Sequence, residues 1–298
     1  MIIETQNLAK NFWRHDAVQD VNLSVPEGAT CALIGANGAG KTTTMRMLVN
    51  VLAPDRGHAC VLGVDSRQLK PKDRLRIAFL SENQELPDRL SVGQYLEYLS
   101  ALYPNWDRAL EQQLMAQFEL PPTRALGKLS HGMRMKAMLI GALSFRPKLL
   151  ILDEPLSGLD PLVRDEVMSG ILSQADETTI LISSHELSEI EGCTTHVAFM
   201  VRGRLMFQES IEALSARFRE VSVTFSQGDD CKALPETWLN PEVDGALLRF
   251  VDSAYTSDDQ QLALVRKHCG GVRHLESTPL SLREISKALM RATRGDVP

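Results

Sequence analysis

Short apolar runs alternate with amphipathic stretches from Met1 to about Phe207. Residues 149–152 and 77–80 are continuous apolar runs, as expected of strands buried on both faces of a parallel sheet, and 29–34 and 179–183 read as strands with only Thr30, Thr179 and Ser183 polar. Between them, 42–52, 130–145 and 162–175 carry apolar positions at helical spacing. Residues 91–119 are mostly helical, up to the break at Pro121 and Pro122. Residues 197–201 and 204–207 predict a hairpin across Arg202 and Gly203. The alternation predicts an α/β domain around a largely parallel, buried sheet. After Phe218 the texture changes: 221–225, 247–251 and 272–276 read as strands, Asp258–His268 and 280–291 as helices, and 228–241 as loop. The expected organisation is a main domain over 1–218, with a helical subdomain at about 83–147, and a small α+β appendage over 219–298.

Composition narrows the function classes. The chain has 298 residues, 44% hydrophobic and 23% charged, enough for one well-buried core and a second small one. Its net charge is −6, which argues against a nucleic-acid binder with a basic face. An acidic chain can still hold a phosphate, because one lysine and a few backbone amides suffice locally. Cys31, Cys60, Cys193, Cys231 and Cys269 are scattered without paired spacing, so neither a metal cluster nor a disulfide is expected. No signal peptide and no apolar run of bilayer length is visible, so any role at a membrane is expected from the aqueous side.

Gly35-Ala36-Asn37-Gly38-Ala39-Gly40-Lys41-Thr42 fits the G-x-x-x-x-G-K-[ST] phosphate loop, placed between a predicted strand and a predicted helix. Glycines let the backbone curl so that several N–H groups point at one phosphate, and the helix adds its positive end. Lys41 is expected at the β/γ-phosphates and the Thr42 hydroxyl on Mg²⁺. Gly35, Asn37, Gly38, Ala39, Gly40 and Thr43 complete the expected triphosphate contacts. Downstream, the apolar strand 149–152 ends in Asp153 and Glu154, where open α/β sheets bind ligands. Asp153 can orient Mg²⁺ through water, and Glu154 is placed to polarise the attacking water.

With these motifs in place, the sequence closely resembles the ABC ATPase family over about residues 1–215. Leu129-Ser130-His131-Gly132-Met133 resembles the family signature Leu-Ser-Gly-Gly-Gln. Ser157-Gly158-Leu159-Asp160 matches the D-loop, His185 the switch histidine, and Phe12 the aromatic that stacks on adenine, with Trp13 as its alternative. The resemblance implies a P-loop NTPase fold of ABC ATPase type with ATP and Mg²⁺ as ligands. It implies catalytic roles for Glu154, His185 and Lys41, and signature contacts to the γ-phosphate by Ser130 and Gly132, with Asp160 beside them. The metal set implied is Thr42, Asp153 and Glu82, the last at the Gln-loop position, where Gln84 is the other candidate. The sequence departs from the signature at His131 and Met133.

The resemblance further implies a head-to-tail pair of ATPase subunits, as homodimer or pseudo-symmetric heterodimer. Each ATP would lie between the phosphate loop of one subunit and the signature of the other. Separate membrane permease subunits are the implied partners, at the cytoplasmic face of the cell membrane, with no nucleic acid. The subgroup resembled is that of bacterial ABC-2 exporter ATPases. A non-transport ABC ATPase and a nucleotide-sensing module are the rival readings. The single ATPase domain argues against the first, and the presence of Glu154 and His185 against the second. His15, His58, His196, His268 and His274 are expected to be structural, and Arg134 and Lys136 to lie on a solvated helix face.

Overall fold

The structure is a computed structural model. It describes residues 1–82, 84–175, 177–185, 190, 192, 194–226, 234–269 and 271–294. Internal contacts divide the chain into two units, the first holding 1–185 and 192–208 and the second including 209–298. Residues 209–218, which the sequence reading assigned to the main domain, therefore pack with the second unit.

Along the first unit, β1 (Ile3–Phe12), β2 (His15–Val21) and β3 (Ser24–Val25) precede β4 (Thr30–Ile34) and α1 (Lys41–Leu48). Then come β5 (Arg56–Val61), β6 (Val64–Asp65), the short α2 (Pro71–Arg74) and β7 (Ile77–Ser81). The helices α3 (Val92–Ser100), α4 (Arg108–Gln117) and α5 (His131–Leu143) lead to β8 (Leu149–Asp153), α6 (Pro161–Leu172) and β9 (Thr179–Ser184). β10 (His196–Val201) and β11 (Arg204–Ser210) form the expected hairpin. The main sheet has the order β11-β10-β4-β9-β8-β7, and β10, β4, β9, β8 and β7 are mutually parallel. β4, β8 and β9 are buried at every position, which is why their sequences are apolar except at their ends, at Thr30, Asp153, Thr179, Ser183 and Ser184.

A second, antiparallel sheet, β2-β1-β5-β6 with β3 paired to β1, was not resolved by the apolar pattern. Its strands have one wet face, and β1 is irregular: register shifts against both β2 and β5 interrupt the period of two. Met45, Met47 and Leu48 of α1 are wholly buried in one core with Ile3, Val21 and Val61 of this sheet and Leu33, Ile151 and Leu181 of the parallel sheet. Each such side chain stabilises by about 1.5–3 kcal/mol. That anchoring fixes the start of α1, and with it the loop before it.

The helical stretch is held by its caps. Ser91 and Gln94 form a capping box at α3, and Asp107 accepts from Ala109 and Leu110 N–H at α4. Arg146 then ties this region to the sheet side. Its Nε donates to Asp107 at 2.8 Å and its Nη1 to Glu177 at 2.6 Å.

In the second unit, α7 (Ile211–Arg217) leads into β12 (Arg219–Phe225), β13 (Trp238–Asp244), β14 (Leu247–Asp252), α8 (Asp258–His268), β15 (Val272–Pro279) and α9 (Leu282–Arg294). The sheet order is β13-β14-β12-β15, all antiparallel. Val221, Val223, Leu248 and Phe250 form its core with Val265 of α8, and Trp238 stacks on Phe250 at 4.0 Å between centroids. Two expectations fail here. Part of the predicted loop 228–241 is strand β13; it is an edge strand carrying Pro241, with a register shift between Leu239 and Glu242, so its alternation is broken. Residues 228–233 of that loop lie outside the described residues. Cys269, 1% exposed, is disulfide-bonded, against the expectation of no disulfide, and its partner lies outside the described residues. Sequence spacing does not report which cysteines the fold brings together. Cys31 and Cys60 are free, and burial pushes the Cys31 thiol up to about 12.

Candidate functional site

The loop from Gly35 to Gly40 leaves the buried end of β4 and enters α1. Gly40 has φ +100°, and a Cβ there would stand 2.4 Å from the Ala17 carbonyl oxygen, so only glycine fits. Ala39 N–H donates to Ala36 O at 3.0 Å, and Gly203 N–H donates to Ala39 O at 3.0 Å, fastening the loop to the β10–β11 turn. No side chain caps α1 and its first turn holds no acid, so the helix itself supplies no counter-charge at its positive end.

Lys41 is 5% exposed, and its Nζ is shared. It donates to Gly35 O at 2.6 Å and lies 3.0 Å from Glu154 Oε1. That carboxylate oxygen is buried and has no aligned hydrogen bond besides the ion pair. The other oxygen, Oε2, meets His185 Nδ1 at 3.1 Å. Lys41, Glu154 and His185 therefore form one connected line of contacts. Glu154 sits at φ +50°, a left-handed conformation that costs a non-glycine residue about 1 kcal/mol or more. Ser183 helps to hold it there, accepting from Glu154 N–H at 2.9 Å.

Asp153, 4% exposed, ends β8 beside β9. Its Oδ1 accepts from Thr42 Oγ1 at 3.0 Å and from Ser183 Oγ at 2.9 Å. Glu82 follows β7, and its N–H donates to Asp153 O at 3.1 Å. Phe12, His15, Asn37, Lys41, Glu82 and Glu154 line one open cleft of about 410 Å³, together with Gly38, Ala39, Gly40, Thr42 and Thr43. Phe12 is 47% exposed at the end of β1, with Lys10 Nζ 5.6 Å from its ring centre, while Trp13 is 89% exposed. Gln84 lines a separate small cavity with Tyr95, Tyr103 and Met138. Burial pushes the hydroxyl of Tyr95 up to about 12.

Ser130, Gly132 and Asp160 are not part of that lining. Ser130 caps α5, its Oγ accepting from Met133 N–H at 3.2 Å, and Asp160 caps α6, accepting from Val163 N–H at 3.1 Å. The two caps are neighbours: a Cβ on Gly132 would stand 2.6 Å from Val163 Cγ1, so a larger residue there requires the Val163 side chain to shift. His131 Nε2 is 3.1 Å from the Ser157 carbonyl oxygen.

Two features escaped the sequence reading. His15 lines the cleft, because a two-residue turn sets it opposite Phe12 in the β1–β2 register; the reading made it structural. Ser183 bridges Asp153 and Glu154, and its only trace in the sequence is a polar residue ending an apolar strand. One expectation is overturned: Lys136 is not solvated but 7% exposed, paired with Glu166 and lying 5.8 Å from the Phe118 ring centre. A long stem at a buried helical position reads as polar until packing places it. Arg134 pairs with Asp88 at 3.0 Å.

Comparison with known proteins gives the same direction. Residues 18–157 match the family described as ABC transporter. The chain is 33% identical to the bacitracin transport ATP-binding protein BcrA of Bacillus licheniformis, over 78% of this chain and 77% of that one. It is 27% identical to the ABC transporter ATP-binding protein YtrB of Bacillus subtilis, over 89% of this chain and 91% of that one. The solved structure of an ATP binding subunit of an ABC transporter superposes with a TM-score of 0.65 at 26% identity, covering 72% of this chain and 92% of that one. Cleft, fold and relatives converge: the chain belongs to the ABC transporter family, as an ATP-binding and ATP-hydrolysing subunit.

Proposed function

We propose that this subunit binds Mg²⁺ and ATP in the cleft of Phe12, Lys41 and Glu154. Hydrolysis then takes place in a site completed by Ser130 and Gly132 of a second ATPase subunit, another copy or a homologous chain. The observation that carries this reading is the contact line that runs from Lys41 and Glu154, which line the cleft, to His185 beside it, with Ser130 and Gly132 absent from that lining. On this reading the ATPase domain, expected over 1–218, ends near residue 208 where the second unit begins, with a helical subdomain at about 83–147, and the residues after it form an accessory domain. The work done is export through separate membrane subunits, at the cytoplasmic face of the membrane. Relatives named for bacitracin and multidrug transport support export. No helix among the described residues is long and apolar enough to cross a membrane.

Phe12 offers its half-exposed ring to the adenine. The amides of residues 35–43 and the start of α1 take the phosphates. Lys41 is now paired with Glu154; the β/γ-phosphate oxygens compete for the same ammonium, and Glu154 is freed to polarise a water. That water attacks the γ-phosphorus, the bond to the β,γ-bridging oxygen breaks, and ADP and phosphate result. Lys41 and His185 hold the charge that develops on the γ-oxygens.

The residues fit Mg²⁺. Thr42 Oγ1 and Asp153 Oδ1 converge at 3.0 Å, and Glu82 lines the same cleft. Among the described residues no group of three acidic, histidine or cysteine side chains forms a closed metal cage. Mg²⁺ is commonly held by one or two carboxylates and keeps water and phosphate in the rest of its shell, so Asp153 and Glu82 with the Thr42 hydroxyl suit it. When bound, it supplies charge neutralisation between the β- and γ-phosphates.

Mixing two inactive variants tests the shared site. Ser130→Arg and Glu154→Gln each spoil both sites of a homodimer. A mixed dimer has one site with both lesions and one that joins an intact Glu154 to an intact Ser130. ATPase activity is expected to reappear on mixing, with dimer formation followed by a tag on one variant. If tagged mixed dimers form and no activity returns, the shared site is rejected.

A further inference from the structure

We infer that His131 is a positioning residue that clamps the Ser157–Asp160 loop to the start of α5, so that signature and loop act as one piece. This rests on the hydrolytic reading above. The resemblance puts glycine where this chain has His131, and a glycine could make no side-chain contact. Here the imidazole reaches the next segment. Nε2 stands 3.1 Å from the Ser157 carbonyl oxygen, and a Cβ built on Gly158 would lie 3.9 Å from both Cδ2 and Nε2 of the ring. The loop backbone therefore lies against the ring and is bonded to it.

The carbonyl can only accept, so Nε2 carries a proton, whether the ring is neutral or charged. The clamp joins two elements that already touch. α5 and α6 meet at Gly132 and Val163, and Leu159 lies 3.6 Å from the position a Gly132 Cβ would take. Leu159 is itself buried. The loop is thus held at its start by His131, in its middle by Leu159 and at its end by the Asp160 cap. Of these, only the His131 contact is a side-chain bond from the signature. Removing it takes away the tie between the signature and the Ser157 carbonyl, leaving the Ser157 N–H on Glu154 O at 3.2 Å and the packing of α5 on α6 in place.

The bond geometry supplies a specific test. Glutamine places an amide nitrogen the same number of bonds from Cα as Nε2 of histidine, whereas asparagine is one bond short. We compare His131→Gln, His131→Asn and His131→Phe in the full chain, measuring kcat, KM for ATP and the melting temperature. His131→Asn and His131→Phe are expected to lose about three- to tenfold in kcat, the range of one lost hydrogen bond. KM for ATP should stay within about twofold, because the nucleotide is held mainly by the phosphate loop. His131→Gln should keep at least half of the wild-type kcat, and all three should melt within about 3 °C of wild type, as expected of an exposed position. Equal kcat in all three variants, at either the wild-type or the reduced level, overturns the clamp. Lys41→Ala and Glu154→Gln run in the same assay separate the two claims. If they are inactive and the His131 series is flat, only the clamp fails; if they are active, the hydrolytic reading itself fails.

Discussion

At Glu154, strain, burial and charge meet in one residue. Its backbone is left-handed, one carboxylate oxygen is buried against Lys41, and the other meets His185. Glu154→Gln keeps the shape and removes the charge. We expect its turnover to fall at least about 100-fold, in the range of losing a general base, with ATP binding retained, and size-exclusion chromatography with ATP should reveal a trapped dimer. Near-normal turnover would remove Glu154 from the chemistry. Lys41→Ala should fail earlier, at binding, since it deletes the fixed cation of the cleft; titration with a fluorescent ATP analogue decides this, and unchanged affinity would exclude Lys41 as the phosphate anchor. Gly40→Ala is the steric counterpart. A methyl group cannot stand 2.4 Å from Ala17 O, so the loop must move and nucleotide affinity should drop with Lys41 still present. Wild-type affinity there would mean that the loop yields freely.

Among the elements, α4 carries a measurable dependence on pH. The Leu110 backbone N–H, then the Arg146 guanidinium, hold the Asp107 carboxyl below the usual carboxylate range. A folded-state pKa below the unfolded one means that the stabilisation is complete above the unfolded value of about 3.9. It is lost as pH falls through the lower folded value. Asp107→Ala should therefore cost about 1 kcal/mol at neutral pH, the usual worth of an N-cap. The gap in melting temperature to wild type should narrow as pH drops below about 4. A gap that stays constant down to pH 2 would assign the loss to packing instead. Arg146 also bonds Glu177, so the cap is part of a link between the helical stretch and the sheet side rather than a local feature.

For the whole molecule, the two units make separate cores. The first holds every residue of the proposed cleft; the second builds its own around Trp238 and Phe250. A chain ended after Gln208 is accordingly expected to fold and to bind nucleotide with near-native affinity. Circular dichroism and ATP-analogue binding check this. An insoluble product, or a folded one that does not bind, would make the second unit a condition of the first. The accessory role proposed for the carboxyl-terminal residues stands on the same experiment.

The phosphate loop was legible in the sequence because it is local: strand, glycines, lysine and helix follow one another, and their geometry is set by adjacent residues. The acidic pair was legible for a related reason, since a buried strand announces itself as an apolar run and the charges mark its end. Helical and strand periodicity did the same for α5, β8 and α8. What only the tertiary structure decided lies between segments distant in sequence. Thr42 and Asp153 are 111 positions apart, and Ser183 reaches Glu154 across neighbouring strands, so their contacts depend on sheet order, which no spacing records. The same holds for His15 beside Phe12, for the buried Lys136 and for the bonded Cys269. Backbone periodicity is a property of neighbours along the chain. Side-chain partnership is a property of packing, and packing is settled only when the sheets and helices close on one another.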